Sequence, residues 1–319
     1  MAEVLVTRRL PDGGTEPLLA AGHHVLGGVR ELPWAHDELA AAVPDVDGLV
    51  CLLDEQVDEG VLERGAAGRL KVVANVAVGY DNIDVTAAAR LGIVVCNTPG
   101  VLDEATADVA FLLVLAAARV ASDAERELRA GRFTGWGIDK YLGRDVAGAV
   151  LGIVGYGRIG RAVATRGAGF GMTVLHHSRT PTGEPGYVAG LDDLLERTDI
   201  VSLHVPLTDA TRHLIGPREL ERMGPGSVLV NTARGPVVDE EALAAALESG
   251  TIFAAGLDVY EREPAVHPRL LAAPRTVLLP HIGSATFTTR RTMARLACRQ
   301  VCDVLAGVAP PHPVLPAVP

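Results

Sequence analysis

Three segments of this 319-residue chain present side chains that together could hold an anion and transfer a proton. Arg234, Glu263 and His281 each follow a separate strand-like run. Ligands of open parallel sheets bind beyond the carboxyl ends of the strands, so we expect the three side chains to converge there. Arginine can grip a planar carboxylate with two parallel hydrogen bonds, and a histidine beside a carboxylate is a suitable proton donor near neutral pH. Each residue alone has an ordinary structural explanation, but the set indicates reduction of a ketone by hydride transfer with proton delivery.

A glycine-rich turn precedes these segments in the chain. Residues 149–160, AVLGIVGYGRIG, form an apolar run, a G-x-G-x-x-G turn and the start of a helical pattern. Gly155 would permit the tight turn, Gly157 would let the backbone approach a pyrophosphate, and Gly160 would let the helix pack on the strand. The first amides of the helix would then face the phosphates. The motif alone is a weak signal, but this strand-turn-helix context favours dinucleotide binding.

The second strand of the nucleotide unit indicates which dinucleotide is preferred. In NAD-binding units a carboxylate at the end of this strand accepts hydrogen bonds from the ribose. Here the strand is followed by Ser178, Arg179 and Thr180, with no carboxylate. Arg179 could pair with a 2′-phosphate and the two hydroxyls could add donors, although a solvated loop arginine would have the same sequence. We expect NADP(H) to be preferred, with NAD(H) as the alternative coenzyme.

The composition favours a well-packed globular protein and disfavours several classes of partner. Hydrophobic residues make up 48% of the chain, and the formal net charge is -10 with no basic block. Nucleic acid is therefore not expected as a partner, because phosphate contacts need clustered lysine and arginine. The four cysteines have no metal-site spacing, so no metal is expected. No signal sequence is evident and the apolar runs stop short of membrane-spanning length, so we expect a cytoplasmic protein without membrane contact.

Strand-like runs alternate with helical patterns almost throughout, which predicts an α/β fold with two doubly wound parallel sheets. Strands are expected at residues 4–7, 46–53, 71–76, 93–96, 149–154, 172–177, 200–205, 227–232 and 253–257. Helices are expected at residues 37–43, 84–91, 103–119 and 286–305. The helix over 103–119 is apolar on most faces, so it is either buried or an oligomer contact.

The order of these elements predicts two domains. We expect residues 1–98 and 286–319 to form a substrate domain and residues 99–285 to form the dinucleotide-binding domain. The last helix follows the nucleotide unit in sequence, and we expect it to return and cover the first unit. The chain would then cross between the domains near Pro99 and Gly283, and the cleft between them would be the default active site.

Several long motifs resemble those of the D-2-hydroxyacid dehydrogenases, and the similarity is greatest to the glyoxylate/hydroxypyruvate reductase branch. They are 75–84 (NVAVGYDNID), 97–101 (NTPGV), 105–108 (ATAD), the glycine motif, 231–235 (NTARG) and 280–286 (PHIGSAT). The resemblance runs nearly end to end. It implies a Rossmann-type nucleotide domain, a flavodoxin-like substrate domain and a homodimer that forms through the nucleotide domain.

The resemblance also implies roles for individual residues. Arg234 would bind the carboxylate and C2 oxygen of a 2-oxoacid or 2-hydroxyacid, His281 would be the acid/base, and Glu263 would be its partner. The amides of Val78 and Gly79 would hold the carboxylate from the first domain. The expected coenzyme contacts are Thr106, Gly155, Gly157, Arg158, Ile159, Gly160, Ser178, Arg179, Thr180, Val205, Pro206, Thr211, Thr232, Ala233, Arg234, Asp258, His281 and Gly283.

Substrate choice should depend on Trp136 and on the first-domain loop 51–54 (CLLD), where Leu52 and Leu53 would border the far end of the substrate. A crowded pocket there favours glyoxylate or hydroxypyruvate, with a bulkier D-2-hydroxyacid as the alternative. Related phosphite dehydrogenases carry a lysine near the position of Val78, and its absence here favours an organic acid. Trp136 would either cap the pocket from a partner subunit or only pack. Related corepressors retain the Arg, Glu and His set, so a nucleotide-sensing interaction protein is the second hypothesis.

Overall fold

The computed structural model describes residues 1–316, which divide into two units. The first comprises Met1–Leu102 and the segment from Ser284 onward, and the second comprises Asp103–Gly283. The boundaries expected from the sequence, 98/99 and 285/286, differ from these by a few residues. Gly283 belongs to the second unit because its amide is bonded to the Asp258 carboxylate.

The first unit begins with strands and helices in strict alternation. In chain order they are β1 (Glu3–Val6), α1 (Glu16–Ala20), β2 (His24–Gly27), α2 (His36–Ala42), β3 (Gly48–Cys51), α3 (Glu59–Ala67), β4 (Val72–Asn75), α4 (Val85–Arg90) and β5 (Val94–Cys96). β3 and β4 are fully buried and rich in valine, as expected for parallel strands covered on both faces. Asp58 and Asp84 start α3 and α4, because each side chain accepts a backbone N–H of the first helical turn.

The second unit follows the same alternation after two consecutive helices. Its elements are α5 (Asp103–Ala118), α6 (Ala121–Arg129), β6 (Val150–Val154), α7 (Arg158–Gly169), β7 (Thr173–His177), α8 (Leu191–Glu196), β8 (Ile200–Leu203), α9 (Pro217–Met223), β9 (Val228–Asn231), α10 (Glu240–Ser249), β10 (Ala254–Leu257), α11 (Pro268–Ala272) and β11 (Thr276–Leu278). All strand pairs are parallel, in the order β11-β10-β9-β8-β6-β7. The strand order reverses between β6 and β8, which is where dinucleotides bind in such sheets.

The apolar helix α5 is largely buried in its own unit, which explains why most of its faces are apolar. It packs against α7 and lies on β9, β10 and β11. Phe111, Leu113 and Val114 belong to the core between the helices and the sheet, whereas Leu112 is half exposed. Among residues 1–316, no single helix is long and apolar enough to span a membrane; α5 and α6 reach that length together, but they are bent by 71°.

The chain then returns to the first unit. α12 (Phe287–Leu305) packs on β3, β4 and α1, and β12 (Pro313–Val314) pairs with β5, giving the sheet order β12-β5-β4-β3-β1-β2. β12 is antiparallel and adds a short edge strand to the otherwise parallel sheet of the first unit. The proline-rich composition hid this strand, because proline cannot donate to a ladder and is tolerated at a sheet edge.

Candidate active site

Arg234 lies three residues beyond β9 in a turn that Asn231 holds in place. The Asn231 side chain is buried; its Nδ2 donates to the carbonyl of Arg234 at 2.9 Å, and its Oδ1 accepts the amide of Ala233 at 3.0 Å. Arg234 Nη1 donates to the carbonyl of Ala233 at 2.9 Å. The turn therefore fixes the backbone from which the guanidinium projects.

Gly235 brings this turn against the loop that carries Glu263. A Cβ atom at Gly235 would overlap the carbonyl carbon of Tyr260, so no larger residue fits. The Tyr260 hydroxyl donates in turn to the carbonyl of Leu279 at 2.9 Å, which ties the same loop to the segment before His281. The ends of β9, β10 and β11 thus lie next to one another at one edge of the sheet.

His281 and Glu263 form a direct pair at this point. His281 Nδ1 lies 2.8 Å from Glu263 Oε2, and Glu263 Oε1 accepts the amide of Tyr260 at 3.0 Å. The two side chains are 28% and 30% exposed, so they are partly accessible to solvent. His281 also has a left-handed backbone conformation, φ 55°, which is strained for a residue with a side chain and often occurs at functional sites.

Asp258 holds the backbone that follows His281. Its side chain is buried, and its two oxygens accept the amides of Ile282 and Gly283, each at 2.7 Å. Burial raises the pKa of Asp258, while these two amides and the charge of His281 oppose that rise. The sequence predicts Asp258 only as a coenzyme contact; the structure shows that both of its oxygens shape the histidine loop.

The charges near Glu263 affect the pKa of its carboxyl group. Burial opposes ionisation of Glu263, but the hydrogen bond and charge of His281, the Tyr260 amide and the charge of Arg234 hold the pKa of Glu263 below its ordinary value. The carboxylate is therefore ionised at neutral pH, where it can accept a hydrogen bond from Nδ1 of its imidazole partner. The arrangement can deliver a proton beside a guanidinium, a group suited to binding an anion.

The glycine turn after β6 fits a dinucleotide. Gly155 has φ 96°, and a Cβ atom there would lie 2.6 Å from the His204 carbonyl carbon; a Cβ atom at Gly160 would overlap the Gly155 carbonyl oxygen. At Gly157, by contrast, a Cβ atom would meet no described protein atom within 4 Å. Gly155 and Gly160 are thus needed for packing, and Gly157 leaves room for a ligand at the start of α7.

A buried hydroxyl at the end of β9 is available to a ligand. Thr232 Oγ1 is buried and has no hydrogen-bond partner within residues 1–316, which is unusual for a buried polar atom. Thr232 follows β9 directly, at the same sheet edge as Ala233 and Arg234. Thr106, in the first turn of α5, is buried, and a Cβ atom at Gly283 would lie 3.4 Å from its methyl group.

Ser178, Arg179 and Thr180 lie beside the glycine turn. β7 pairs with β6 so that His177 is opposite Val154, and the His177 carbonyl accepts the amide of Gly155 at 2.9 Å. The next acidic residue in the chain, Glu184, pairs with Arg161. The Ser178 hydroxyl donates to the carbonyl of Thr180 at 2.7 Å, so it also shapes the loop.

The remaining predicted contacts divide between the two units. A Cβ atom at Gly155 would lie 2.9 Å from the Val205 amide, which places Val205 at the point where the strand order reverses. The Thr211 hydroxyl donates to the carbonyl of Pro206 at 2.7 Å and closes that turn. Other predicted residues lie at ends of elements: Arg158 and Ile159 begin α7, Leu53 follows β3, and Val78 and Gly79 follow β4.

Comparisons with known proteins identify the family. Residues 111–283 match the model of the NAD-binding domain of the D-isomer specific 2-hydroxyacid dehydrogenases. The chain belongs to this family. It is 45% identical, over 97% of its length, to a glyoxylate reductase of Thermococcus onnurineus, of which it covers 94%. A glyoxylate reductase of Thermococcus kodakarensis is 46% identical, with 97% of this chain and 95% of that protein covered.

Solved structures agree with this assignment. A protein from Thermus thermophilus has a TM-score of 0.92 and 44% identity, with 98% of this chain and 100% of that chain covered. An NADPH-dependent glyoxylate/hydroxypyruvate reductase from Sinorhizobium meliloti, in complex with NADP and malonate, has a TM-score of 0.86 and 34% identity, with 98% and 96% covered. The predicted family, enzyme class and α/β fold are therefore confirmed.

Proposed function

We propose that this dehydrogenase reduces a small 2-oxoacid, glyoxylate or hydroxypyruvate, to the 2-hydroxyacid, with the D configuration where the product is chiral. The observation that carries the proposal is the 2.8 Å pair of His281 and Glu263, with Arg234 close enough for its charge to lower the pKa of Glu263. The names of the Thermococcus and Sinorhizobium relatives support the choice of substrate.

Each of the three side chains has one task in the proposed mechanism. Arg234 binds the carboxylate and the C2 oxygen and so fixes which face of the ketone is presented. His281 donates the proton on its Nε2 to the C2 oxygen as negative charge develops there. Glu263 accepts from Nδ1 of the same ring, which sets its orientation and stabilises the imidazolium. The nicotinamide, when bound, supplies the hydride.

NADPH is the coenzyme that we propose for this reaction. The Ser178–Thr180 segment offers hydroxyls and a guanidinium beside the glycine turn, and the acid nearest in sequence is paired with Arg161. The end of β7 thus lacks the carboxylate that would repel a 2′-phosphate. A homodimer through the nucleotide domain and a cytoplasmic location stay predictions.

Loss of reduced-coenzyme absorbance tests both parts of the proposal. Glyoxylate, hydroxypyruvate, pyruvate and a longer-chain 2-oxoacid are each assayed with NADPH and with NADH. We expect glyoxylate and hydroxypyruvate to be the best substrates, with NADPH preferred. A higher kcat/KM for the longer acid would favour a bulkier substrate, and coenzyme binding without turnover of any acid would favour a nucleotide-sensing protein.

The variant His281→Ala tests the assignment of the proton donor. We expect kcat to fall by about 10²–10⁴, the range for loss of a general acid, while the Kd of NADPH changes little. His267→Ala is a matched control, because His267 is also 28% exposed and also pairs with a glutamate, Glu241 at 3.1 Å. Equal kcat values for wild type and His281→Ala would remove the assignment.

A further inference from the structure

The loop after β4 has three consecutive carbonyl groups that are each held by a donor. Ala77 O accepts the amide of Thr98 at 2.8 Å, Val78 O accepts Asn97 Nδ2 at 2.7 Å, and Gly79 O accepts Asn75 Nδ2 at 2.8 Å. Successive carbonyls of an extended strand point to opposite sides. Here the carbonyls of Ala77 and Val78 both turn toward residues 97 and 98, the segment that follows β5.

This arrangement determines where the amides of the loop point. In a trans peptide the N–H lies opposite the C=O of the same unit. The N–H groups of Val78 and Gly79 therefore both point away from the segment of Asn97 and Thr98. Neither N–H has an acceptor among residues 1–316, and both residues are half-buried rather than enclosed. Two successive amides aimed to one side form a concavity that binds an anion.

The backbone carbonyl of Asn97 is anchored by a residue of the last helix. This carbonyl accepts Gln300 Nε2 at 2.9 Å, and Gln300 Oε1 accepts the amide of His312 at 3.0 Å. Gln300 is a fully buried residue of α12, so this anchor comes from the part of the chain that returns to the first unit. The backbone that carries the Asn97 side chain is therefore fixed by contacts within the first unit.

We infer that Asn97 is a positioning residue that orients the Val78–Gly79 peptide and so sets the affinity for the substrate carboxylate. The inference rests on the proposed function, because the anion is taken to be the carboxylate of the 2-oxoacid. Without the Asn97 donor, the peptide before Gly79 can rotate, since glycine tolerates many backbone conformations. The contact that is then lost is the one between the Gly79 N–H and the substrate carboxylate. This contact is the same in the ground state and the transition state, so its loss raises KM with little change in kcat.

The test compares Asn97→Ala, Asn97→Ser and Val94→Ala with the wild type. Val94 is a half-buried residue of β5, so its truncation weakens the same strand without touching the loop. Steady-state kinetics give kcat and KM for the 2-oxoacid and KM for NADPH. Calorimetric titration of the NADP⁺-saturated enzyme with oxalate gives a Kd for a carboxylate that does not react.

For Asn97→Ala we expect KM for the 2-oxoacid and Kd for oxalate to rise about 10-fold, as for one lost hydrogen bond to a charged group. kcat should stay within about twofold and KM for NADPH should not change. Asn97→Ser keeps a donor of shorter reach and should fall between wild type and Asn97→Ala. Val94→Ala should bind oxalate like the wild type even if its unfolding temperature is lower.

The inference would be overturned if a folded Asn97→Ala had the KM for the 2-oxoacid and the Kd for oxalate of the wild type. It would also be overturned if Asn97→Ala lost as much affinity for NADPH as for oxalate, because that result indicates general damage to the protein. If the wild type reduces none of the small acids but still binds oxalate, the proposed substrate fails while the titration still tests Asn97. If the wild type binds no oxalate, the inference fails.

Discussion

At the scale of single residues, the pairing of Glu263 with His281 has a consequence for turnover. We expect Glu263→Gln to lower kcat about 10-fold with little change in KM, because Nδ1 of His281 loses the carboxylate that orients the ring for proton delivery. The measurement is steady-state kinetics of wild type and variant at neutral pH. Glu241→Gln removes the carboxylate of the His267 pair and should leave kcat unchanged.

The same substitution changes how stability depends on pH. The pKa of Glu263 is lower in the fold than its ordinary value of 4.5. The ionised carboxylate therefore stabilises the fold above about pH 4.5, and this contribution is lost as the pH falls through the folded-state pKa. The difference in unfolding temperature between wild type and Glu263→Gln should be present at neutral pH and shrink in acid; a constant difference would contradict the pairing.

The side chains proposed to react can be chosen from the sequence more readily than the residues that hold them. Arg, Glu and His after apolar runs are chemically distinctive, and the ends of parallel strands share one edge. Asn231 and Asp258 instead bond to backbone groups of neighbouring loops, and such contacts depend on tertiary structure. Gly235 did carry a usable signal, because a glycine directly after the candidate arginine suggests that another backbone approaches closely.

At the scale of elements, the fully buried strands were predicted, whereas β2, α1 and α6 were missed. β3, β4, β8 and β9 are fully buried apolar runs, which the pattern identifies directly. β2 is an edge strand with no buried residue, α6 has none either, and the short helix α1 has only one. Their sequences therefore lack the hydrophobic periodicity from which helices and strands are predicted.

The loop after β7 is ordered by its own contacts, so its side chains can discriminate between coenzymes. His176 is buried and stacks on Tyr156 with ring centroids 3.7 Å apart, and its Nε2 lies 2.8 Å from Thr182 Oγ1. Tyr156 stands between two glycines of the turn, so the turn and the loop are held together. A loop fixed at both ends presents Arg179 from a backbone that is already ordered, so only the side chain has conformational entropy to lose on binding.

Replacing Arg179 tests this reading of the loop. We expect Arg179→Ala to raise KM for NADPH about 10-fold and to leave KM for NADH nearly unchanged, because only NADPH carries a 2′-phosphate. Arg197→Ala is the control, since Arg197 is an exposed arginine of the same unit just after α8. Equal changes for the two coenzymes, or none, would show that Arg179 does not contact the phosphate.

At the scale of the whole molecule, the chain builds two cores, and one of them is discontinuous in sequence. Val301, Ala297 and Cys298 of α12 pack with Val4 and Val50 of the first unit, although the whole second unit lies between them in the chain. The position of this helix after the nucleotide unit in sequence made its return predictable. The antiparallel strand β12 was not, because two residues carry no periodic signal.

Coenzyme binding should stabilise the molecule through the second unit. Alanine variants of two glycines in the same motif can distinguish an effect on binding from an effect on folding. Alanine at Gly157 meets no protein atom, whereas at Gly160 it overlaps the Gly155 carbonyl. We therefore expect Gly157→Ala to keep the unfolding temperature of the coenzyme-free enzyme but weaken NADPH binding about 30-fold, and Gly160→Ala to lower that temperature outright. At 100 times the wild-type Kd, NADPH should add about 2.7 kcal/mol to the wild type and roughly 1 kcal/mol to Gly157→Ala. Thermal unfolding with increasing NADPH measures both quantities, and a full wild-type shift in Gly157→Ala would mean that the pyrophosphate does not approach this turn.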